Sequence, residues 1–460
     1  MDKKKILFMS DDLRMHSGVA CVSKDIVIET IRQYDWVQIG GAISHPEEGK
    51  VFDMSESVQK EYNIENPYLK IYPVNGYGNQ EILRSIIEIE KPDAILHYTD
   101  PRFWQWLYQM EREIRIKIPL FYYNIWDDLP DPLWNENFYR SCDLLMAISK
   151  QTYGINKRML PDYKDWQVTY VPHGINKKRF FKVHKQNSNF RDFMSTFNFD
   201  EYKFKILYSN RNIRRKMPGD VVLAYKHFVD QLPKEKQKEC VLIFHCAPVD
   251  DNGTDIPEVC RKIIPDYNVI FTHHVSGPFT DIQMNFLFNS IDVYVNLASN
   301  EGFGLGSCEA LTVGKPIIVN VTGGLQDQCG FRKMQGNGEW AYYTADDYVE
   351  YKTNHDGSMG DHHGEWVKPV FPSNISLQGS PITPYIFDDR CRYQDAGDAL
   401  KFWYDAGPEE RERCGELGRK FVNNKDIGMN SKEMGNRFIE SMDTVFEKWI
   451  PQSRFTLEAV

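Results

Sequence analysis

The sequence predicts an α/β fold of two domains, each built on a parallel sheet. Three observations carry that prediction. The chain has 460 residues, more than one ordinary domain holds and suited to two or three. Short apolar runs alternate with longer stretches of helical period, which is the pattern of strand–helix–strand units and so of parallel sheets. That alternation stops once, over the polar segment 176–200 with Lys177, Lys178, Arg179 and Lys182, and then restarts.

The elements follow in order. Strand-like runs fall at 5–9, 36–40, 69–74, 93–98, 119–125, 144–148 and 168–172, with helical patterns at 19–31, 80–89 and 103–114 between them. Residues 1–175 therefore form a first domain and 176–200 a linker. In the second half, 205–209, 240–246, 268–272, 292–297 and 316–320 read as strands, and 220–230, 279–289 and 304–312 as helices. The stretch 323–390 is rich in Gly, Asp and His and is too long for a simple loop. It reads as an insertion in a second domain at 201–430, kept ordered by Trp340, Tyr342, Tyr343, Trp366, Tyr385 and Phe387. Helical patterns return at 395–404, 409–422 and 432–449, and the last segment, 431–460, is expected to pack back on the first domain. Two such domains, facing across a cleft, would offer a ligand the carboxyl ends of both sheets.

Composition narrows the class. Hydrophobic residues at 42% and charged residues at 26% are globular values. Lys+Arg of 55 against Asp+Glu of 65 gives a net charge of −10, which argues against bulk nucleic-acid binding. No apolar run approaches the ~20 residues of a spanning helix. The amino-terminal apolar stretch, 6–9, is too short for a signal peptide. Nine cysteines without a CxxC pair fit reduced thiols, so a cytoplasmic location is expected.

The most informative stretch is Ser299-Asn300-Glu301-Gly302-Phe303-Gly304-Leu305-Gly306-Ser307-Cys308-Glu309-Ala310-Leu311, followed by Gly314-Lys315-Pro316 and a strand. Glycines here let backbone approach a ligand. Amides from Phe303 onward open a helix, where free N–H groups and the macrodipole favour an anion. Glu301 lies before the turn, and Glu309 about two helical turns further on. Carboxylates flanking an amide-rich turn suit a ligand with phosphate in the middle and hydroxyls at both ends, such as a nucleotide-sugar. A basic run, Asn210-Arg211-Asn212-Ile213-Arg214-Arg215-Lys216, follows the first strand of the second domain. Its guanidinium forks and ammonium match phosphate.

Glu301-Gly302-Phe303-Gly304 with Glu309 resembles the Glu-x7-Glu signature of retaining, group 1 type glycosyltransferases, whose fold is the two-Rossmann GT-B architecture. Asp143-Leu144-Leu145-Met146-Ala147-Ile148-Ser149 resembles that family's "D-x-hydrophobic-x-A-x-S" strand. Val171-Pro172-His173-Gly174-Ile175-Asn176 resembles its interdomain "P-N-G-V-D" bridge, with His173 and Asn176 as departures. Ser17-Gly18-Val19 resembles its amino-terminal Gly-rich loop.

The resemblance implies that Glu309 binds ribose hydroxyls and Glu301 donor-sugar hydroxyls. The amides of Phe303, Gly304 and Leu305 would meet the donor's phosphates or sugar, with Gly302 and Gly18 also on the donor. Arg211 and Lys216 would neutralise the diphosphate. Because Met217 stands where the family has Gly, Arg214 or Arg215 could take either role. The family's His after the fifth strand is replaced by Trp126, leaving His97 as the substitute catalytic candidate. The expected cofactor is none, since the nucleotide-sugar is a co-substrate and the diphosphate is neutralised without metal.

The acceptor is expected in the first domain. The span 98–139 holds 12 aromatics in 42 residues, about twice the chain's 13%. Trp126 and Trp134 fall in loops after the fifth strand, beside Asp127, Asp128 and Asp131. Aromatic faces with acids nearby suit a carbohydrate acceptor, with an aspartate available as base. His355, Asp356, Asp361, His362 and His363 match no zinc spacing. Asp127-Asp128 and Asp388-Asp389 resemble metal-holding acidic pairs of the other glycosyltransferase fold, GT-A, without its context. The sequence thus predicts sugar transfer from a nucleotide-diphosphate donor to an acceptor hydroxyl, with retention of configuration. The competing readings are an inactive protein of the same fold that binds sugar or nucleotide, and a transferase acting on nucleic-acid bases.

Overall fold

The computed structural model describes residues 3–273, 277, 279–350 and 362–453. The chain divides into two compact units. The first comprises residues 1–126, 131–174 and 431–460, and the second 127–130 and 175–430.

The first unit is built on eight strands: β1 (Lys4–Asp11), β2 (Tyr34–Ala42), β3 (Phe52–Asp53), β4 (Leu69–Asn75), β5 (Ala94–Tyr98), β6 (Leu120–Asn124), β7 (Leu144–Ala147) and β8 (Val168–Tyr170). Their order is β3-β4-β2-β1-β5-β6-β7-β8. All neighbours are parallel except β3 with β4. The central strands are continuous apolar runs because helices cover both faces of a parallel sheet. Ile6–Met9 and Leu120–Tyr123 are fully buried. The helix Gly18–Thr30 starts at Ser17, whose hydroxyl accepts from the Ala20 amide at 3.0 Å. The carboxyl-terminal helix, Ser431–Lys448, belongs to this unit and lies against it. Gly435 meets Glu29 so closely that a Cβ there would stand 2.6 Å from the Glu29 Cβ.

The second unit carries a six-stranded sheet: β9 (Phe204–Tyr208), β10 (Cys240–Phe244), β11 (Val269–Phe271), β12 (Val293–Asn296), β13 (Ile317–Asn320) and, after the hairpin β14 (Arg332–Met334) and β15 (Trp340–Tyr342), β16 (Val367–Val370). The order is β11-β10-β9-β12-β13-β16, all parallel. Strand order reverses between β9 and β12, so their carboxyl ends form the crevice where open α/β sheets bind ligands.

Two expectations from the sequence change. Residues 323–390 supply a core element, β16, as well as the hairpin β17 (Pro372–Ser380) and β18 (Thr383–Cys391). Pro369 hid β16. A proline lacks an amide for the ladder and reads against a strand, yet β16 is the sheet's edge, where proline is tolerated. The segment 176–200 is part of the second unit and holds the helix Ser188–Thr196. There Phe193 packs on Phe197, Phe279 and Phe286. His355, Asp356 and Asp361 lie outside the described residues. All nine cysteines are free thiols.

Candidate active site

Three loops meet at the carboxyl ends of β9, β12 and β13. The loop after β12 runs through Glu301 to Gly304, which caps the helix Leu305–Thr312 at φ +89°. Only glycine is at ease there, and a Cβ would also stand 2.4 Å from Leu325 Cδ2. The helix sits tight on the sheet at Gly306, where a Cβ would fall 2.3 Å from the Tyr294 hydroxyl. That hydroxyl donates to the Ser209 carbonyl at 2.9 Å and so ties β12 to the end of β9. The first amides of this helix have no intrahelical acceptor.

The loop after β9 brings its basic run to Glu301. The Ser299 amide donates to the Arg215 carbonyl at 2.8 Å. The Lys216 ammonium is in contact with the Glu301 carboxylate, and both side chains are buried. Burial is the main force lowering the Lys216 pKa, and the Arg215 charge adds to it, while Asp127 opposes. The touching carboxylate is the opposite charge that makes a buried ammonium tenable. Arg215 donates to the Asn300 carbonyl at 2.6 Å and lies 3.5 Å from Asp127. Arg211, by contrast, is two-thirds exposed and 3.4 Å from Asp250. Arg214 is exposed as well.

The loop after β13 buttresses the turn. The Gly324 amide donates to the Glu301 carbonyl at 2.8 Å. Gln328 Nε2 donates to the carbonyls of Phe303 (2.7 Å) and Gly304 (3.1 Å). A Cβ on Gly323 would stand 2.2 Å from the Glu301 carbonyl oxygen and 2.4 Å from that of Asp127. Beneath this lies a buried acid pair. The Thr322 hydroxyl is 2.8 Å from an Asp128 oxygen and 2.7 Å from an Asp389 oxygen. Burial raises the Asp128 pKa far above the usual carboxylate range, and the Asp389 carboxyl adds to the rise. The pair retains a proton, as two adjacent carboxyls cannot both ionise out of water.

Glu309 is half-buried on the helix after the turn. Burial raises the pKa of both the Tyr294 hydroxyl and the Cys308 thiol, and the Glu309 charge raises both further. The second unit therefore gathers Glu301, Gly302, Phe303, Gly304, Leu305, Glu309, Lys216 and Asp127, with Arg211 on the rim of the β9 loop. Gly18 belongs to the first unit, as the opening residue of its first helix.

His97 stands near the carboxyl end of β5. It is fully buried in the first unit, with its ring stacked on Tyr122 at 4.5 Å and Nε2 3.0 Å from the Tyr108 hydroxyl. Burial lowers its pKa to about 3, so the ring is neutral. Trp126 is buried too. It is 7% exposed and packs edge-on against Trp134, with ring centroids 5.5 Å apart. The Thr152 hydroxyl donates to its carbonyl at 2.9 Å. These are the contacts of a packed side chain. Asp131 accepts from Arg158 Nε at 2.9 Å and from its Nη2 at 2.6 Å.

The sequence reading missed the pairing of Asp128 with Asp389, although it had singled out both acidic pairs, and it missed Thr322 and Gln328 altogether. The signal available for the latter was the Gly323-Gly324 pair directly after a strand. Among the described residues, one set of side chains has metal-holding spacing: Glu365, Glu410 and Cys414. It lies outside the site, and Arg413 already pairs with both glutamates.

Residues 189–350 match the family model described as glycosyl transferases group 1. That span contains the basic run, Glu301, the glycine turn and Glu309. The whole match lies within the second unit. A relative in sequence is alpha-monoglucosyldiacylglycerol synthase of Acholeplasma laidlawii, 24% identical over 185 residues. The match takes in 40% of this chain and 43% of that protein, so the chain spans less than half the length of this relative. Solved structures align over nearly the whole chain. Sucrose-phosphate synthase of Thermosynechococcus elongatus aligns with a TM-score of 0.65 at 14% identity, over 97% of this chain and 100% of that one. Anabaena HepE, solved with UDP and glucose, gives 0.63 at 12%, over 96% and 100%. The E. coli trehalose-6-phosphate protein bound with UDP-2-fluoro glucose gives 0.64 at 10%, over 98% and 100%. At these identities the likeness is one of fold. The fold is GT-B, with a parallel sheet in each unit. No helix among the described residues is long and apolar enough to cross a membrane.

Proposed function

We propose that the chain transfers a sugar from a nucleotide-diphosphate-sugar to an acceptor hydroxyl, with retention of configuration. The observation that carries this reading is the contact of Lys216 with Glu301 beside the glycine turn, at the switch point of the second sheet. It combines a fixed cation, a fixed carboxylate and the amides that open a helix on adjacent loops. A donor's diphosphate matches the amides and cations, its ribose matches Glu309, and its sugar hydroxyls match Glu301.

In the transfer, the bond from the anomeric carbon to the diphosphate breaks and negative charge grows on the leaving oxygen. Lys216 and the amides from Phe303 to Leu305 stabilise that charge without rearranging, because Glu301, Gln328 and Gly324 already hold them. Arg215 is engaged with Asn300 and Asp127 and so fixes the loop. Arg211, exposed five residues before Lys216, supplies the second cation. The leaving diphosphate takes the acceptor's proton on the same face, so the hydroxyl enters where the nucleotide departs. Such charge neutralisation makes a divalent ion unnecessary. A UDP-glucose type of donor is the first to try, since two structural relatives were solved with UDP and glucose or a fluoro-glucose analogue. The "alpha" product in the sequence relative's name supports retention, given an α-linked nucleotide donor.

The test is a thermal-shift screen against nucleotide-sugars, in which a true donor at 100 times its dissociation constant adds about 2.7 kcal/mol. No shift with any of them, in folded protein, refutes the reading.

A further inference from the structure

The parallel sheet of the second unit has an opposite edge, and that edge carries its own cavity. Lys205 near the start of β9, Asp292 just before β12 and Lys315 just before β13 all lie at the amino ends of their strands. They line a cavity of about 370 Å³ closed by the segments 182–200 and 408–412. The donor turn lies at the other end of the same strands.

The charges of this cavity do not balance. Its cations are Lys182, Lys185, Arg191, Lys205, Lys315 and Arg411, and its anions are Asp200, Asp292 and Glu412. Asp292 is occupied by Lys205 and Arg411, each at 3.1 Å, and Glu412 by Lys182 at 3.0 Å. Lys185, Arg191 and Lys315 have no carboxylate in ion-pair contact among the described residues. Only Asp200, exposed, remains to set against three positive charges. Lys315 is the most telling of them, because it is half-buried. Burial is the main cause that lowers its pKa to about 8, and the charges of Lys205, Lys182 and Lys185 lower it further, against Asp292. A desolvated ammonium among like charges is what a bound anion would relieve. A neighbouring cavity of about 360 Å³ shares Lys182 and adds Lys177, Arg419 and Lys420. This face is thus basic on a chain whose net charge is −10.

We propose that the amino-edge cavity is a second anion site, distinct from the donor's diphosphate site, and that it holds a phosphate group on Lys315, Lys185 and Arg191. The basic lining suits a phosphate, whether free or on a lipid headgroup. Phosphate oxygens match the guanidinium fork and two ammonium points. The inference stands apart from the proposed transfer reaction, since no residue of the site is shared.

The test uses the full chain with inorganic phosphate in one arm and phosphatidylglycerol vesicles in the other. Calorimetry reads the first and co-sedimentation the second. Saturable binding in either arm is expected, and the arm that responds identifies the source. Lys315→Met should weaken it roughly tenfold or more, the scale of one charge-assisted contact. Should that variant fail to fold, Lys185→Ala with Arg191→Ala, both exposed, should weaken it at least as much. Nucleotide-sugar binding should stay at the wild-type level in the double variant. Absence of binding in both arms overturns the proposal. So does binding that these substitutions leave unchanged, or binding lost only with Lys216→Met, which would place the phosphate at the donor site.

Discussion

The contact between Lys216 and Glu301 makes a quantitative demand. Both side chains are about one-tenth exposed, so neither charge can be rehydrated without opening the loops. Removing one partner of a buried pair strands the other and costs about 3–5 kcal/mol, whereas replacing both with neutral groups of similar shape is close to neutral. The residual exposure favours the lower end of that range. Lys216→Met alone and Glu301→Gln alone should each lower the melting temperature, by roughly 2–4 °C per kcal/mol for a unit of this size. The double substitution should recover most of the loss. The assay is a double-mutant cycle by urea and thermal unfolding, which isolates the pairwise energy. Additive losses in the double variant would refute the argument, because they would mean that the two side chains do not depend on each other. Donor binding provides the contrast: the stable double variant should still lose it, since both charges are meant for the ligand.

Other predictions rest on separate observations. Asp128 has its pKa raised by burial and by Asp389, so the folded state holds a proton that the unfolded chain releases near its ordinary value. Stability from that proton is complete at low pH and declines as pH rises through the folded-state value. Asp128→Asn should flatten the fall in melting temperature between acidic and alkaline buffers, and an unchanged profile would count against a shared proton. Trp126→Ala should lower stability by about 3–5 kcal/mol, as for a large buried side chain, read by urea unfolding. A stable variant with a raised acceptor Michaelis constant would restore the platform reading. Sugar transfer should survive EDTA, and loss in EDTA that manganese or magnesium restores would mean that the diphosphate needs a metal.

The sequence revealed features whose signal is local. Strands β9, β10, β12 and β13 are short apolar runs bounded by polar residues, and a doubly covered parallel sheet demands that pattern. The glycine turn and Glu309 were legible because one stretch of 14 residues, 296–309, contains strand end, turn and helix. What escaped depends on partners distant in sequence. Lys216 and Glu301 are 85 positions apart, and nothing near either names the other. The run of basic residues left four candidate cations, and only the fold separated Lys216, on Glu301, and Arg215, on Asn300 and Asp127, from exposed Arg211 and Arg214. His97 was a candidate from its place at the end of a strand. Its burial comes from Tyr108 and Tyr122, which other elements supply. Strand β16 was hidden by Lys368 and Pro369, residues that an edge strand tolerates and a central one does not.

The central claim is that the glycine turn of the second unit binds a nucleotide-sugar through Glu309 on one side and Lys216 with Glu301 on the other. Calorimetric titration of UDP-glucose into the wild type and Glu309→Ala tests it most directly. Glu309 is half-buried on the helix surface, so its truncation should leave the melting temperature nearly unchanged. Removing a charge-assisted contact to ribose hydroxyls should weaken binding by about 1.5–3 kcal/mol, roughly ten- to a hundredfold. Equal affinity in the two proteins, both folded, would contradict the account.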